Sequence, residues 1–134
     1  MNGLPEVTVA GTATADPEIK YLETGDAVVN LTLASNSRRY DRDRGEWVDG
    51  ATTFLRASAW RHLAEHIAES ISRGDRVLAT GLLRQRSWET EQGDKRSVLE
   101  LAITEIGPSL RFATAKPVKA KRTAPATTGD EPPF

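Results

Sequence analysis

The sequence predicts a small all-β barrel that carries one helix and is followed by a disordered tail. Three observations lead there. Short segments at 7–11, 27–35, 52–59, 76–83 and 98–106 read as strands. One segment, 60–73, repeats apolar residues every four instead. Beyond residue 112 the Val/Ile/Leu periodicity stops.

The first strand is Val7-Thr8-Val9-Ala10-Gly11, and Asp16-Pro17 breaks the chain after it. The second is the cleanest. Ala27, Val29, Leu31 and Leu33 fall on one face, with Asn30 and Thr32 on the other. A polar stretch over 36–50, centred on Asp41-Arg42-Asp43-Arg44-Gly45, reads as a long hairpin loop before the strand at 52–59. The helix over 60–73 places Leu63, Ile67 and Ile71 on one stripe beside Ala64 and Ala68, and Gly74 stops it. The last two strands flank Glu91-Gln92-Gly93-Asp94, where Gly93 supplies a positive φ. Five strands with one helix between the third and fourth match the OB-fold, a partly open Greek-key barrel.

From residue 113 to 134 the chain is Ala, Thr, Lys and Pro, including Pro117, Pro125, Pro132 and Pro133. Such a stretch buries too little apolar surface to offset its ordering entropy. The expected organisation is a domain over 1–112 and a disordered tail over 113–134. The tail takes four of 18 basic and two of 19 acidic residues, which leaves 14 and 17 in the domain. The domain is therefore mildly acidic, and any anion-binding surface must be a local patch.

The 134 residues suit one domain, and 38% hydrophobic with 28% charged residues is a polar globular composition. No cysteine is present, which excludes disulfides, a thiol nucleophile and thiolate metal sites. No apolar run is long enough to span a membrane, and the N-terminal residues lack the pattern of a secretory signal. A cytoplasmic protein is the expectation.

One string has an enzyme-like pattern. His62-Leu63-Ala64-Glu65-His66 matches H-x-x-E-H, with two histidines four apart on a helix. These are the only two histidines, so a third ligand would have to be a distant carboxylate. A solvated helix face is the better reading. The Asp41 and Asp43 carboxylates alternate with Arg42 and Arg44, as in a charged loop rather than a tuned acid–base pair. No phosphate-binding loop or nucleophile elbow is present, and neither a metal nor a cofactor is expected.

The eight aromatics carry more information. Arg84, Arg86 and Trp88 share one strand face, as do Phe54 and Arg56. Tyr40 follows Arg38-Arg39, and Trp60 precedes Arg61. Alternating cation and ring on a strand suits single-stranded nucleic acid, because guanidinium meets phosphate while the ring stacks on an unpaired base. The competing reading is that these rings are core, most simply for Trp60 at the strand-to-helix junction. Trp47 in the polar loop fits either a base platform or a lid on the core.

Taken in order, the fragments resemble the bacterial single-stranded DNA-binding proteins over most of residues 5–110. The similar stretches are Val7-Thr8-Val9-Ala10-Gly11 with Asp16-Pro17-Glu18 and Tyr21, then Val28-Val29-Asn30-Leu31-Thr32-Leu33-Ala34. Phe54-Leu55-Arg56 and Trp60-Arg61-His62-Leu63-Ala64-Glu65 follow. The most specific is Arg73-Gly74-Asp75-Arg76-Val77 with Gly81-Leu82-Leu83-Arg84-Gln85-Arg86-Ser87-Trp88. The end of the chain, Gly129-Asp130-Glu131-Pro132-Pro133-Phe134, resembles that family's acidic tip. Here the tip has two acids rather than a longer run, the linker is short and basic, and Tyr40 and Phe54 stand where many relatives carry Trp.

The resemblance implies a non-enzymatic homotetramer that wraps single-stranded DNA during replication, recombination and repair, in the cytoplasm with the nucleoid. It assigns base stacking to Tyr40, Phe54, Trp60 and Trp88, and phosphate contact to Arg56, Arg84 and Arg86. Asp130, Glu131, Pro132, Pro133 and Phe134 would recruit replication and repair proteins. The lightly charged edge of the first strand, Val7-Thr8-Val9, is a candidate pairing site between copies. A second reading is an OB-fold adaptor of the replication machinery that uses the barrel for protein contacts. A third is a zinc hydrolase built on His62 and His66.

Overall fold

In the computed structural model, which describes residues 3–120, alternation becomes one continuous sheet. The elements run β1 (Glu6–Ala13), β2 (Glu18–Tyr21), β3 (Ala27–Asp41), β4 (Glu46–Trp60), α1 (Arg61–Ser70), β5 (Arg76–Glu89) and β6 (Lys95–Pro108). Across the sheet the order is β1-β5-β6-β4-β3-β2. β1 pairs again with β3 through Thr12–Ala34 and Ala13–Leu33, which closes the sheet into a barrel. Among the described residues only β4–β6 is parallel; the other pairs are antiparallel. This is an OB-fold, with α1 between β4 and β5 and the short β2 added to the five expected strands.

The core follows from register, since residues paired across a sheet share a face. Val29, Leu31 and Leu33 of β3 meet Ala57 and Ala59 of β4, Val77 and Ala79 of β5, and Leu101 and Ile103 of β6. Leu33, Val29, Val77 and Leu101 are fully buried. Each such side chain contributes about 1.5–3 kcal/mol relative to exposure. α1 adds Ala64 and Ile67 to the same cluster and packs on β3, β4 and β2.

Five features differ from the sequence reading, each for a local reason. β2 holds four residues, of which only Ile19 is half-buried, too few to show alternation. The helix begins at Arg61, because Trp60 keeps extended angles (φ −129°, ψ 153°) and stays in β4. It ends at Ser70, where Ile71 turns extended, and Asp75 then holds the backbone N–H of Ser72 at 2.8 Å. The 36–50 stretch is not a loop. β3 and β4 continue as a ladder to Asp41–Glu46, and a four-residue turn remains. The Asp41 carboxylate accepts the Asp43 N–H at 3.0 Å there, and Gly45 takes φ 65°. β5 and β6 likewise extend to Glu89–Lys95, with Gly93 at φ 84° in the turn as expected.

After β6 the described chain has no regular element and is exposed from Leu110 onward. The tip residues Asp130, Glu131, Pro132, Pro133 and Phe134 lie outside the described residues.

Candidate nucleic-acid interface

The face opposite the core is where the rings and guanidiniums gather. Thr32 pairs with Arg56, Ala34 with Phe54, and Val28 with Trp60, so Phe54, Arg56, Ser58 and Trp60 share that face of β4. Arg56 lies beside Glu100 of β6, and Glu100 beside Arg84 of β5. Alternation carries Arg84 to Arg86 and Trp88 on the same face.

An open cleft of about 520 Å³ forms in the middle of it. Arg56, Trp60, Arg84 and Arg86 line this cleft, with Glu100 and Ser58 buried among them. Asp16 and Glu18 border it on the β2 side. Trp60 is 44% exposed, so it is a wall of the cleft rather than core. Phe54 (65% exposed) and Trp88 (43%) lie outside the cleft lining, one alternation beyond Arg56 and Arg86 respectively. The Arg86 guanidinium carbon sits 5.2 Å from the Trp88 ring centre, a cation–π contact.

Tyr40 is not in the cleft. It stands out on the β3–β4 hairpin, edge-on to Trp47 with ring centres 5.6 Å apart. Trp47 is 60% exposed, which rules out a lid on the core. Its place depends on a bulge. Between the Asn36–Thr52 and Arg38–Asp49 pairs β3 advances two residues and β4 three. The extra residue inverts the parity of β4, so odd-numbered Trp47 joins the face of even-numbered Phe54 and Arg56. Gly50 makes room for the bulge, because a Cβ there would collide with the Ser37 hydroxyl, which donates to the Ala51 carbonyl at 3.2 Å. Straight alternation along the sequence misses this, and the glycine beside a polar run was its one signal.

Glu100 was also missed by the sequence reading. Its side chain is 9% exposed, accepts a hydrogen bond from Arg84 Nη2 at 3.4 Å and pairs ionically with Arg86 Nε at 3.5 Å. A charged residue in the middle of an apolar strand was the available clue. Elsewhere, His62 and His66 stack at 6.5 Å on the outside of α1, and the His62 Nδ1 lies 3.4 Å from Glu65. Among the described residues no group of three or more possible ligands surrounds a common point.

A closed small barrel whose outer face carries a cleft lined by three arginines and a tryptophan defines an OB-fold binding protein suited to a flexible polyanion with flat bases. Comparisons with known proteins make this specific. The chain belongs to the single-strand binding protein family, whose model matches residues 4–109. It is 54% identical over 123 residues to the single-stranded DNA-binding protein of Mycobacterium leprae, covering 92% of this chain and 73% of that one. The Mycobacterium tuberculosis H37Rv protein of the same name is 51% identical over 132 residues, covering 98% and 80%. Among solved structures, the small single-stranded DNA-binding protein from Streptomyces coelicolor superposes with a TM-score of 0.69 at 31% identity, covering 82% of this chain and 97% of that one. The family consists of binding proteins, not enzymes.

Proposed function

We propose that this chain binds single-stranded DNA without sequence preference, along the face that runs from Trp60 through Arg56, Arg84 and Arg86 to Trp88, with Phe54 beside it. The carrying observation is that three arginines and a half-exposed tryptophan line one open cleft. Phosphates meet Arg56, Arg84 and Arg86. Bases stack on Trp60, Trp88, Phe54 and Tyr40, each worth ~1–3 kcal/mol and tolerant of any base. The Tyr40–Trp47 pair extends the platform along the hairpin.

The chain acts as a homotetramer in replication, recombination and repair, in the cytoplasm with the nucleoid. Among the described residues, 6–9 of β1 have a strand partner on one side only, β5, which leaves an edge for a second copy. The Asp130-Glu131-Pro132-Pro133-Phe134 tip recruits partner proteins, with the Phe134 ring in an apolar pocket and the acidic side chains on a cation. Among the described residues no helix is long and apolar enough to cross a membrane.

Titration with oligo-dT at low and high salt, following tryptophan fluorescence, tests the proposal against a duplex control. Strong quenching by the single strand alone is expected. No quenching and no binding overturns it and brings the adaptor reading forward. Deleting residues 130–134 should abolish partner capture and leave oligo-dT affinity intact.

A further inference from the structure

The cleft proposed for a polyanion has a buried carboxylate at its centre. Glu100 is 7% exposed, while the cation beside it in β4, Arg56, is exposed and makes no ion pair among the described residues. A buried carboxylate is costly unless paired, and Glu100 meets that need with Arg84 through one oxygen and Arg86 through the other. Both contacts are single-point, at 3.4 and 3.5 Å. Tight charge-assisted bonds are shorter, about 2.7–2.9 Å, and arginine–carboxylate pairs are often bidentate. The Arg84 Nε–H is buried with no acceptor among the described residues. Glu100 therefore holds both guanidiniums in place while leaving their donors incompletely used.

The geometry points to Glu100 as an internal counter-ion that competes with DNA phosphate for Arg84 and Arg86. It rests on the binding mode proposed above and adds a tuning residue to it. The carboxylate engages Arg84 Nη2 and Arg86 Nε, donors that a phosphate would otherwise take. A strand that enters draws the two guanidiniums outward, where donors unused on Glu100 meet phosphate. The carboxylate then remains beneath the strand as a fixed negative charge. It subtracts about one unit from the cleft's phosphate-neutralising charge and keeps binding reversible. Asp16 and Glu18 act on the same cleft from the β2 side, but both are exposed and more strongly screened.

Glu100→Gln keeps the shape and removes the charge. One further neutralised phosphate steepens the slope of log affinity against log salt by about 0.7. The variant should bind oligo-dT about threefold tighter than the parent at 0.2 M salt and about eightfold tighter at 0.05 M, with the advantage vanishing toward 1 M. Glu100→Asp retains the charge and should keep the parental slope. Unchanged or weaker binding by folded Glu100→Gln overturns the proposal, and so does Glu100→Asp behaving like Glu100→Gln. The unmutated protein supplies an independent readout that needs no variant to fold. The 13C signal of the Glu100 carboxylate should move when oligo-dT is added, as its arginines turn to phosphate. A stationary signal in a protein that binds oligo-dT refutes the competition alone. A protein that does not bind oligo-dT at all refutes the binding mode with it.

Discussion

The two halves of β3 are built differently, although they form one strand. Residues 27–33 alternate between burial and exposure, with Val29 and Leu33 completely covered. Residues 36–40 are exposed throughout. The inner half is held by the core. The outer half is held by its ladder with β4 and by cross-strand pairs such as Tyr40–Trp47 and Arg38–Asp49, the latter at 4.0 Å. Exposed ion pairs of that kind are worth ~0–1 kcal/mol. The barrel therefore holds the buried contacts, and the outer hairpin holds exposed rings that the proposed function uses for binding.

Substitutions can break this division. Leu33→Ala, at a fully buried site, should cost ~2–5 kcal/mol of stability, measured by denaturant unfolding, while the folded fraction binds oligo-dT as before. Trp88→Ala should reverse the pattern. It loses ~1–3 kcal/mol of oligo-dT affinity with an unchanged salt slope, and unfolding barely shifts. Normal binding by folded Trp88→Ala would show that the stacking assignment is wrong. Arg84→Gln should lower the salt slope by ~0.7 instead. Trp47→Ala sharpens the comparison, since it removes an exposed ring from the outer hairpin. Its melting temperature should stay near the parent's while affinity falls by less than for Trp88→Ala. A melting transition that drops as far as that of Leu33→Ala would show that the hairpin carries core-like stability.

The smallest effect lies at the junction of strand and helix. Arg61 adopts φ 61°, a left-handed conformation that costs a non-glycine residue ~1–2 kcal/mol. Its compensation is an exposed ion pair with Asp26 at 3.7 Å. Arg61→Gly removes the strain and adds unfolded-state entropy, so a net change within about 1 kcal/mol of the parent is expected. A loss well beyond that would make the Asp26 pair the element that fixes Trp60 at the cleft wall.

Strand alternation and the four-residue helical stripe were legible in the sequence, because burial of one face leaves a period there, whereas the helix stops at Ser70 rather than at Gly74. Val29, Leu31 and Leu33 show it in β3, and Ile67 in α1. The same physics hid the outer halves of the hairpins, where neither face is buried and no period exists to be read. The Arg84–Arg86–Trp88 face was visible because it depends only on neighbours two apart in one strand.

What tertiary structure alone decided were the relations between strands. The bulge near Gly50 sets which face Trp47 occupies, and the parallel β4–β6 pairing brings Arg56 beside Glu100. Closure of β1 onto β3 completes the barrel from segments about twenty residues apart. Period and composition are local properties, written residue by residue in the chain. Register is fixed by the mutual packing of strands remote in sequence, so the place of Glu100 between arginines emerges only when the barrel closes.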